Sequence, residues 1–479
     1  MLFNSIDFAI FFPIVLILYW VATKGDLKRQ NILLLVASYF FYACWDYRFL
    51  FLLIFSTLLD YFTGIKMHEA GSKIRKRFWF WLSICINLGF LGIFKYFNFF
   101  SQSFADALSL LGIHTSFLTL NVILPVGISF YTFHGLSYVI DIYNDKIKPE
   151  RNFIDYSLFV SFFPLLVAGP IERATHLLPQ IKTKRVFNYS KAIDGLRQML
   201  WGLFKKIVIA DNCAEYANMA FNSGAHSGST LLLGALLFTF QIYCDFSGYS
   251  DIALGAARLM GIELLRNFAF PYFSRDIAEF WRRWHISLSS WFRDYLYIPL
   301  GGSKGGTWIK VRNTFIIFLV SGFWHGANWT FIFWGLLNAL YIMPSILFNT
   351  NRNNLDIVAS EKYFPSIKDL LSIILTFSLT VFAWIFFRSD SIHAAFSYIS
   401  GICNTSLFTI PDKLNIHFIL ILVIFVMAEW LQRTKQHALQ FEEGSNIKYY
   451  SIVAVNCIVI WAILLWGVFG NKSFIYFQF

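Results

Sequence analysis

The chain has 479 residues, of which 57% are hydrophobic and only 14% are charged. Soluble domains carry roughly 25% charged residues, so this composition excludes a soluble enzyme, a disordered chain and a disulfide-rich secreted module. At about 20 apolar residues per crossing, the length allows on the order of a dozen membrane spans. On such a protein the formal net charge of +11 indicates loops held on the cytoplasmic face. We therefore expect contact with a lipid bilayer and no nucleic-acid partner.

The first predicted elements are membrane spans. The apolar run 6–22 is too long for a signal-peptide core and has no basic region before it, so we expect a retained span. The basic stretch 24–29 follows directly, which places this loop inside and the N-terminus outside. The next predicted spans are 31–44, 49–65, 78–91 and, after a polar stretch at 101–116, 118–140. If each of them crosses the membrane once, the basic clusters 66–77 and 146–151 both lie inside, which agrees with the first loop.

The run 153–168 breaks this parity. It is apolar, yet the loop that follows it is also basic. Either the segment is re-entrant, or one loop departs from the rule that basic loops lie inside; Pro164, Gly169 and Pro170 favour a broken, re-entrant element. Irregular backbone at membrane depth is tolerated only when it is buried in protein or lines a water-filled cavity, so we expect a cavity near this segment.

The second half of the chain contains further apolar runs and two exceptions. Charged residues interrupt the weaker run 193–209, and the stretch 276–306 is rich in Trp, Arg and Gly without a run of spanning length. No linker divides the sequence, so we expect a single transmembrane domain, 1–479, with core motifs in 120–345 and C-terminal spans in 368–470. The predicted fold is all-α, a polytopic membrane helix bundle with re-entrant segments.

The first candidate functional motif is S-G-F-W-H-G-A-N-W at 321–329. His325 lies between two apolar runs, where an ionisable residue is costly and therefore a place to look for function. The flanking glycines permit another backbone or a ligand to approach closely. If the motif is helical, Asn328 shares a face with His325 and can hydrogen-bond its imidazole. A packed interhelical histidine is the alternative, but the glycine-flanked aromatic setting favours a histidine that accepts a proton from a hydroxyl nucleophile.

The second candidate is 279–294, which combines three tryptophans, three arginines and a histidine. It fits either the wall of a polar cavity or an aromatic and basic interface belt, and composition alone leaves the two level. On a helix, His285 and Ser289 would be neighbours one turn apart.

The third candidate, 241–251, places Tyr243 and two aspartates, Asp245 and Asp251, at the end of an apolar run. The pattern favours a helix end with capping groups, and the polar lining of a tunnel is the functional alternative. We interpret His134, which also lies in an apolar run beside a glycine, as a packing histidine.

Motifs of several other enzyme classes are missing from the sequence. There is no H-x-x-x-x-D acyltransferase pair, no GxxxxGK[ST] phosphate loop and no histidine pair at metal-binding spacing. The six cysteines are scattered, which predicts no disulfide and no zinc site. One G-x-S-x-G string, 301–305, shows neither the strand nor the helix pattern of a nucleophile elbow, so we interpret it as a flexible loop. We therefore disfavour ATP-driven transport, serine hydrolysis and metal catalysis, and we expect no bound metal.

Five blocks of the sequence resemble the membrane-bound O-acyltransferase family, and most closely its bacterial branch that acetylates envelope polysaccharides such as alginate and peptidoglycan. They are 124–134, 162–173 (FFPLLVAGPIER), 241–255 (QIYCDFSGYSDIALG), 280–302 (FWRRWHISLSSWFRDYLYIPLGG) and 323–334. The resemblance runs from the N-terminus to residue 345 and implies a multi-helix bundle with a central tunnel that joins the two faces of the membrane. It implies that His325 is the catalytic histidine and His285 the second active-site position. The other side chains expected at the tunnel are Trp284, Arg282, Asn328, Trp324, Ser289, Asp245, Tyr243 and Asp294.

The resemblance also implies an O-acyltransferase of the bacterial inner membrane. An acetyl group from a cytoplasmic thioester, acetyl-CoA or another acyl thioester, would reach His325, which acts as a base or briefly carries the acyl group. No permanently bound cofactor is expected. The acetyl group would then pass to a periplasmic or extracellular serine-esterase-like partner, which places it on a polysaccharide.

A transporter or flippase for a glycan or lipid precursor is the competing hypothesis. Such a protein would be expected to show inverted repeats or charges along several spans. No repeat is apparent here, and the polar residues concentrate around two histidines. A lipid or protein acyltransferase from another branch of the family ranks lower, because the blocks at 241–251 and 280–297 resemble the polysaccharide branch.

Overall fold

The computed structural model describes residues 1–115, 119–120, 123–166, 169–222, 224, 226–413, 415–441, 449–470 and 474–475. The protein is 72% helical, and these ranges contain no strand. The α-helices that they contain are α1 Ile6–Ile17, α2 Leu27–Ala43, α3 Tyr47–His68, α4 Lys73–Leu91, α5 Phe97–Leu110, α6 Ile128–Tyr143, α7 Phe153–Ser161, α8 Phe163–Leu166, α9 Ala174–Ile181, α10 Tyr189–Phe204, α11 Asp211–Asn222, α12 Gly228–Leu259, α13 Ile277–Arg283, α14 Ile286–Phe292, α15 Thr307–His325, α16 Trp329–Leu347, α17 Ile367–Arg388, α18 Ile392–Ile402, α19 Ile416–Leu431 and α20 Tyr449–Trp466.

Six helices within the described ranges are long and apolar enough to cross a membrane: Tyr47–His68, Lys73–Leu110, Gly228–Leu259, Trp329–Leu347, Ile367–Arg388 and Tyr449–Trp466. A helix satisfies its backbone hydrogen bonds internally, which is what allows such a segment to cross the hydrocarbon core. The predicted all-α polytopic fold is confirmed. The first predicted span, 6–22, is a shorter apolar helix.

The polar stretch at 101–116 is helical over its first ten residues, so the predicted span 78–91 is part of a longer helix. A π-helical turn, Gly92–Tyr96, joins α4 and α5 into one continuous helix, Lys73–Leu110. The Gln102 amide donates a hydrogen bond to Asp106, one turn further on, at 2.8 Å. Such polar pairs stabilise an exposed helix, so the polar composition did not end it.

The bounds predicted for the span 118–140 are wrong as well. α6 begins only at Ile128, after Gly127 at a φ of +75°; residues 118, 121 and 122 lie outside the described ranges. The helix is 16 residues long and almost wholly buried, so it lies inside the bundle. His134 is 0% exposed, and its Nε2 accepts the backbone N–H of Glu172 at 3.1 Å, which confirms it as a packing histidine.

The broken element predicted at 153–168 is confirmed over its described residues. α7 has nine residues and α8 has four, far fewer than the ~20 of a span; residues 167 and 168 are outside the described ranges. The segment that follows is held through its backbone, because the N–H of Ile171 donates to Ser287 Oγ at 2.9 Å. The residues that follow the break therefore contact α14 through Ile171 and α6 through Glu172.

The 32-residue helix α12 packs closely against α10 at paired glycines. Gly202 of α10 faces Gly248 of α12, and a Cβ on either would lie 2.6–2.7 Å from the other's carbonyl oxygen. Gly195 and Gly255 meet in the same way, seven residues away along each helix. Because real side chains do not fit at such distances, only glycine permits this approach.

The interpretation of 241–251 as a capped helix end is wrong, since both aspartates lie in the interior of α12. Lys206 Nζ is 2.8 Å from Asp245, and Lys205 Nζ is 2.5 Å from Asp251. The two lysines belong to a buried π-helical turn, Lys205–Ala210. Buried charges persist only when they are paired, and these ion pairs account for two of the charges that interrupt the run 193–209, Lys205 and Lys206.

The stretch 276–306 contains no spanning helix, as predicted. It holds two helices of seven residues, α13 and α14, and a turn-rich loop. The G-x-S-x-G string lies in that loop, without a strand before it. α15 begins at Thr307, directly after the loop, which the sequence pattern did not indicate.

Candidate active site

His325 is the last residue of α15, at the point where α15 and α16 form a tight helical hairpin. A Cβ on Gly322 would overlap the backbone carbonyl of Phe331, and Gly335 faces Gly322 across the same crossing. Glycine therefore lets the two backbones meet here, as the sequence predicted. The His325 side chain is 3% exposed, and its ring centroid lies 5.0, 5.2 and 5.4 Å from those of Trp324, Trp334 and Phe387.

Asn328 does not share a helical face with His325. α15 stops because Gly326 is extended, with φ −164° and ψ 154°, and α16 starts at Trp329. The Asn328 side chain caps α16 by accepting the N–H of Thr330 at 3.0 Å, and it donates to the backbone carbonyl of Asp390 at 3.0 Å. The predicted hydrogen bond to His325 is wrong, because the cap engages both ends of this amide.

Two residues of the π-helical turn Gly92–Tyr96 cap the carbonyl end of α15. Lys95 Nζ donates to the backbone carbonyls of Trp324 and His325 at 2.7 and 3.1 Å, and the Tyr96 hydroxyl donates to that of Phe323 at 3.2 Å. The last carbonyls of a helix have no partner within it, and a cation there is favourable. Sequence reasoning missed this cap; a lone lysine in an apolar helix was the available signal.

His285 lies directly before α14 in a left-handed backbone conformation, with φ +43° and ψ 54°. Such a conformation costs about 1–3 kcal/mol for a residue other than glycine and is often found at functional sites. The side chain is 1% exposed and lies edge-on to Phe246, with ring centroids 4.6 Å apart. Its Nδ1 is 3.0 Å from the amide oxygen of Asn267.

Trp324 lies beside both histidines. Its ring centroid is 5.0 Å from that of His325 and 6.1 Å from that of His285. We call the space around the two histidines the aromatic chamber; Phe246, Trp324, Trp334 and Phe387 contact the imidazoles there. Three polar atoms of the chamber are buried without a hydrogen-bond partner among the described residues: His285 Nε2, Trp324 Nε1 and Trp384 Nε1. Buried polar atoms are nearly always hydrogen-bonded, so these three make the chamber a candidate site for a polar ligand.

Trp284 and Ser289 lie against this chamber. The Trp284 ring packs between Phe280 and Trp384, at centroid distances of 5.5 and 5.1 Å. Ser289 begins the second turn after His285: its N–H donates to the His285 carbonyl at 3.0 Å, and its hydroxyl donates to the Trp284 carbonyl at 3.4 Å. Ser289 is thus engaged with the backbone around His285 and not with the imidazole.

Arg282 and Asp294 point away from the histidines. The exposed Arg282 guanidinium donates to the backbone carbonyls of Asn351 and Asn354 at 2.9 and 2.7 Å. Asp294 accepts from Arg173 at 3.1 Å. Arg282 thus contacts the backbone at residues 351 and 354, and Asp294 contacts Arg173. The structure brings neither side chain to the chamber.

A narrow polar cavity adjoins the chamber through Asn267. Tyr243 lines it and donates to the buried Glu429 at 2.9 Å, whereas Asp245 is turned to Lys206. The sequence analysis did not identify Glu429 as a candidate site residue, although an acidic residue in the apolar run 418–430 indicates a functional position. The polar lining comprises Lys205, Tyr243, Ser247, Ser250, Asp251, Arg266, Asn267, Glu429, Gln436 and His437.

Comparison with known proteins decides the family. The family model for the membrane-bound O-acyltransferases (MBOAT) matches residues 144–386, a stretch that contains both histidines. The chain belongs to this family. It is an integral membrane enzyme that transfers acyl groups to oxygen, and the resemblance drawn from the five sequence blocks is confirmed.

Several curated relatives are similar over most of the chain. The probable alginate O-acetylase AlgI of Pseudomonas syringae is 41% identical over 82% of this chain and 74% of its own length. The peptidoglycan O-acetyltransferase of Helicobacter pylori is 34% identical over 93% of this chain and 91% of its own. The teichoic acid D-alanyltransferase of Bacillus subtilis is more distant, at 29% over 57% of this chain and 71% of its own.

Proposed function

We propose that this O-acyltransferase moves an acetyl group from a cytoplasmic thioester to hydroxyl groups of a cell-envelope or extracellular polysaccharide of the alginate or peptidoglycan type. The observation that carries the proposal is the pair of buried histidines beside Trp324, with polar atoms around them that have no described partner. Relatives named for O-acetylation of alginate and of peptidoglycan support the substrate class. Acetyl-CoA or another acyl thioester acts as a substrate, not as a bound cofactor.

Two routes use the same pair of histidines. In direct transfer, a histidine removes the proton of the attacking hydroxyl, the C–O ester bond forms, the C–S bond breaks, and the proton passes to the departing thiolate. In the second route, His325 carries the acyl group before the hydroxyl attacks. Rapid acid quenching with a labelled donor traps label on the protein only in the second route.

The donor enters through a basin next to the polar cavity. The basin has a volume of about 1000 Å³ and shares Arg266 with that cavity. Arginine pairs well with phosphate, and a nucleotide thioester carries several phosphates. The cations that line the basin are Lys191, Arg197, Arg258 and Arg266. Two carboxylates line it as well, Asp194 and Glu263, and they pair with Arg258 and Lys191.

The same proposal places the protein in a bacterial inner membrane with its N-terminus outside. The basic loops 24–29, 66–77 and 146–151 then lie in the cytoplasm, on the side of the thioester donor. On the outer side the acetyl group passes to a serine-esterase-like acetyltransferase, which places it on the polysaccharide. A reporter that is active only outside the cytoplasm, fused to the N-terminus, tests the orientation.

Alkali-released acetate from purified envelope and secreted glycans tests the function. We compare wild type, a deletion strain, and the deletion complemented with wild type, His325→Ala or His393→Ala. His393 is an exposed histidine of α18 and serves as the matched control. We expect deletion to remove acetate, wild type and His393→Ala to restore it, and His325→Ala to fail although it inserts normally. Equal acetate in wild type and deletion strain would refute the proposal.

A further inference from the structure

The strained backbone of His285 is fixed by residues outside its own helix. The N–H of Ile286 donates to the backbone carbonyl of Asn267 at 2.9 Å. The N–H of Ala269 donates to the carbonyl of Arg283 at 2.9 Å. These two hydrogen bonds tie residues 267–269 to both sides of His285. A left-handed conformation persists only when its surroundings hold it in this way.

The side chain of Asn267 uses its amide oxygen twice. Ser287 Oγ donates to it at 2.9 Å, and His285 Nδ1 lies 3.0 Å away. Ser287 Oγ in turn accepts the backbone N–H of Ile171 at 2.9 Å, so its own hydrogen is available for Asn267. In this arrangement the amide oxygen, and not the nitrogen, lies towards His285. The amide nitrogen donates to Ser250 Oγ at 3.3 Å.

We propose that Asn267 is a positioning residue whose amide oxygen holds His285 as the Nδ1-protonated tautomer and leaves Nε2 as the proton acceptor of the reaction. A neutral imidazole carries one proton, and the hydrogen bond at one nitrogen decides which nitrogen is free to accept. His285 Nε2 is buried, without a partner among the described residues, beside the Trp324 ring that also contacts His325. This inference rests on the proposed function and deepens it.

The proton balance is the same in both routes of acyl transfer. His285 Nε2 takes the proton of the attacking hydroxyl as the C–O bond forms. In direct transfer the C–S bond breaks and Nε2 returns the proton to the thiolate. When His325 carries the acyl group, its nitrogen first attacks the thioester, the C–N bond forms, the C–S bond breaks, and the ring proton of His325 passes to the thiolate. The hydroxyl then attacks, the C–N bond breaks, and Nε2 passes its proton to the His325 nitrogen. No oxidant, reductant or further reactant is needed.

Substitutions of Asn267 separate positioning from mere packing. Asn267→Leu keeps the volume but removes the acceptor. Asn267→Asp keeps an acceptor and donates nothing to Ser250. We expect Asn267→Leu to lower kcat roughly 100-fold, within the range that a general base contributes, with little change in KM. We expect Asn267→Asp to stay within about tenfold of wild type, because an acceptor at this position still fixes the tautomer.

The control replaces an asparagine whose side chain donates hydrogen bonds only to backbone carbonyls. The Asn212 amide donates to the carbonyls of Val208 and Trp466, so Asn212→Leu should leave kcat unchanged. An Asn267→Leu variant with wild-type kcat would overturn the inference. So would an Asn267→Asp variant as impaired as Asn267→Leu, because that result would assign the amide nitrogen to the histidine.

A second readout does not depend on activity. Nitrogen-15 NMR of histidine-labelled protein distinguishes the two neutral tautomers, and comparison with His285→Ala assigns the His285 signal. We expect the Nδ1-protonated form in wild type and in Asn267→Asp. An Nε2-protonated wild type would overturn the inference even if Asn267→Leu does not fold. Absence of acetyl transfer by wild type would instead refute the proposed function, while the NMR result would still decide the tautomer.

Discussion

Replacing Lys95 by methionine tests how the position of His325 is maintained. Lys95 Nζ holds the backbone carbonyls of Trp324 and His325 at 2.7 and 3.1 Å and lies 5.8 Å from the Trp324 ring centroid. Methionine keeps the length and apolar packing of the side chain but donates no hydrogen bond. We expect the last turn of α15 to loosen and the imidazole to leave its productive position.

The size of the effect follows from the contacts that are lost. Hydrogen bonds to a charged group contribute about 1.5–3 kcal/mol each, and a cation at a helix C-terminus contributes up to ~2 kcal/mol. The hydrogen bonds and the favourable charge at the helix end are the same contacts and are not added, and desolvation of the ammonium offsets part of them. We therefore take the value of one such hydrogen bond, about 2–3 kcal/mol. If this whole free energy is lost from the stabilisation of the transition state, kcat falls roughly 30- to 150-fold, at 1.36 kcal/mol per factor of ten.

The assay measures the rate of acetyl transfer per inserted molecule and the unfolding temperature in detergent. Tyr96→Phe removes one neutral hydrogen bond, to Phe323, so its effect should lie between those of wild type and Lys95→Met. Lys73→Met removes an exposed charge from the start of the same continuous helix and should change neither quantity. A Lys95→Met variant with kcat within twofold of wild type would show that the cap does not position His325.

Three further predictions concern α15 and α9. Gly322→Ala should lower both the unfolding temperature and the rate, since its Cβ would overlap the carbonyl of Phe331 and overpacking costs about 1–3 kcal/mol. Trp324→Phe keeps an aromatic ring but removes the N–H and the second ring of the indole; we expect kcat to fall about tenfold, as for a lost substrate hydrogen bond, and an unchanged kcat would show that this N–H does not bind substrate. The hydrogen bond from His176 to Glu172, at 2.8 Å, raises the pKa of His176 above its ordinary value. Its contribution to stability is therefore fully present below about pH 6.5 and is lost as the pH rises through the raised pKa; unfolding temperatures from pH 6 to 9 should fall less in His176→Gln than in wild type.

Local sequence patterns predicted the parts of the site that depend on near neighbours. The glycines around His325 indicated a close backbone approach, and Gly322 does meet the facing helix there. Pro164 and Gly169 indicated a broken element, and α7 and α8 are indeed separate short helices. In both cases the prediction came from a residue with special backbone properties. Glycine permits a close approach that a side chain would block, and proline interrupts a helix.

The errors and omissions arise where distant residues meet. The predicted contact between Asn328 and His325 required one continuous helix, but Gly326 ends that helix, and an asparagine followed by an apolar run is also the signature of a new helix start. Asn267 contacts a histidine 18 positions away, and Lys95 contacts a carbonyl 229 positions away. No periodicity in a single sequence encodes such contacts, because they depend on how the helices pack.

Both histidines occupy helix ends inside the protein, and this explains why the site needs so much support. His325 is the last residue of α15, and His285 directly precedes α14. A helix end leaves backbone groups without partners, and these are costly away from water. Lys95 satisfies such groups through its side chain; Asn267 satisfies one through its backbone carbonyl, and its side chain contacts the His285 imidazole. Loss of either side chain should consequently impair catalysis more than it impairs insertion, because the spanning helices keep their own hydrogen bonds.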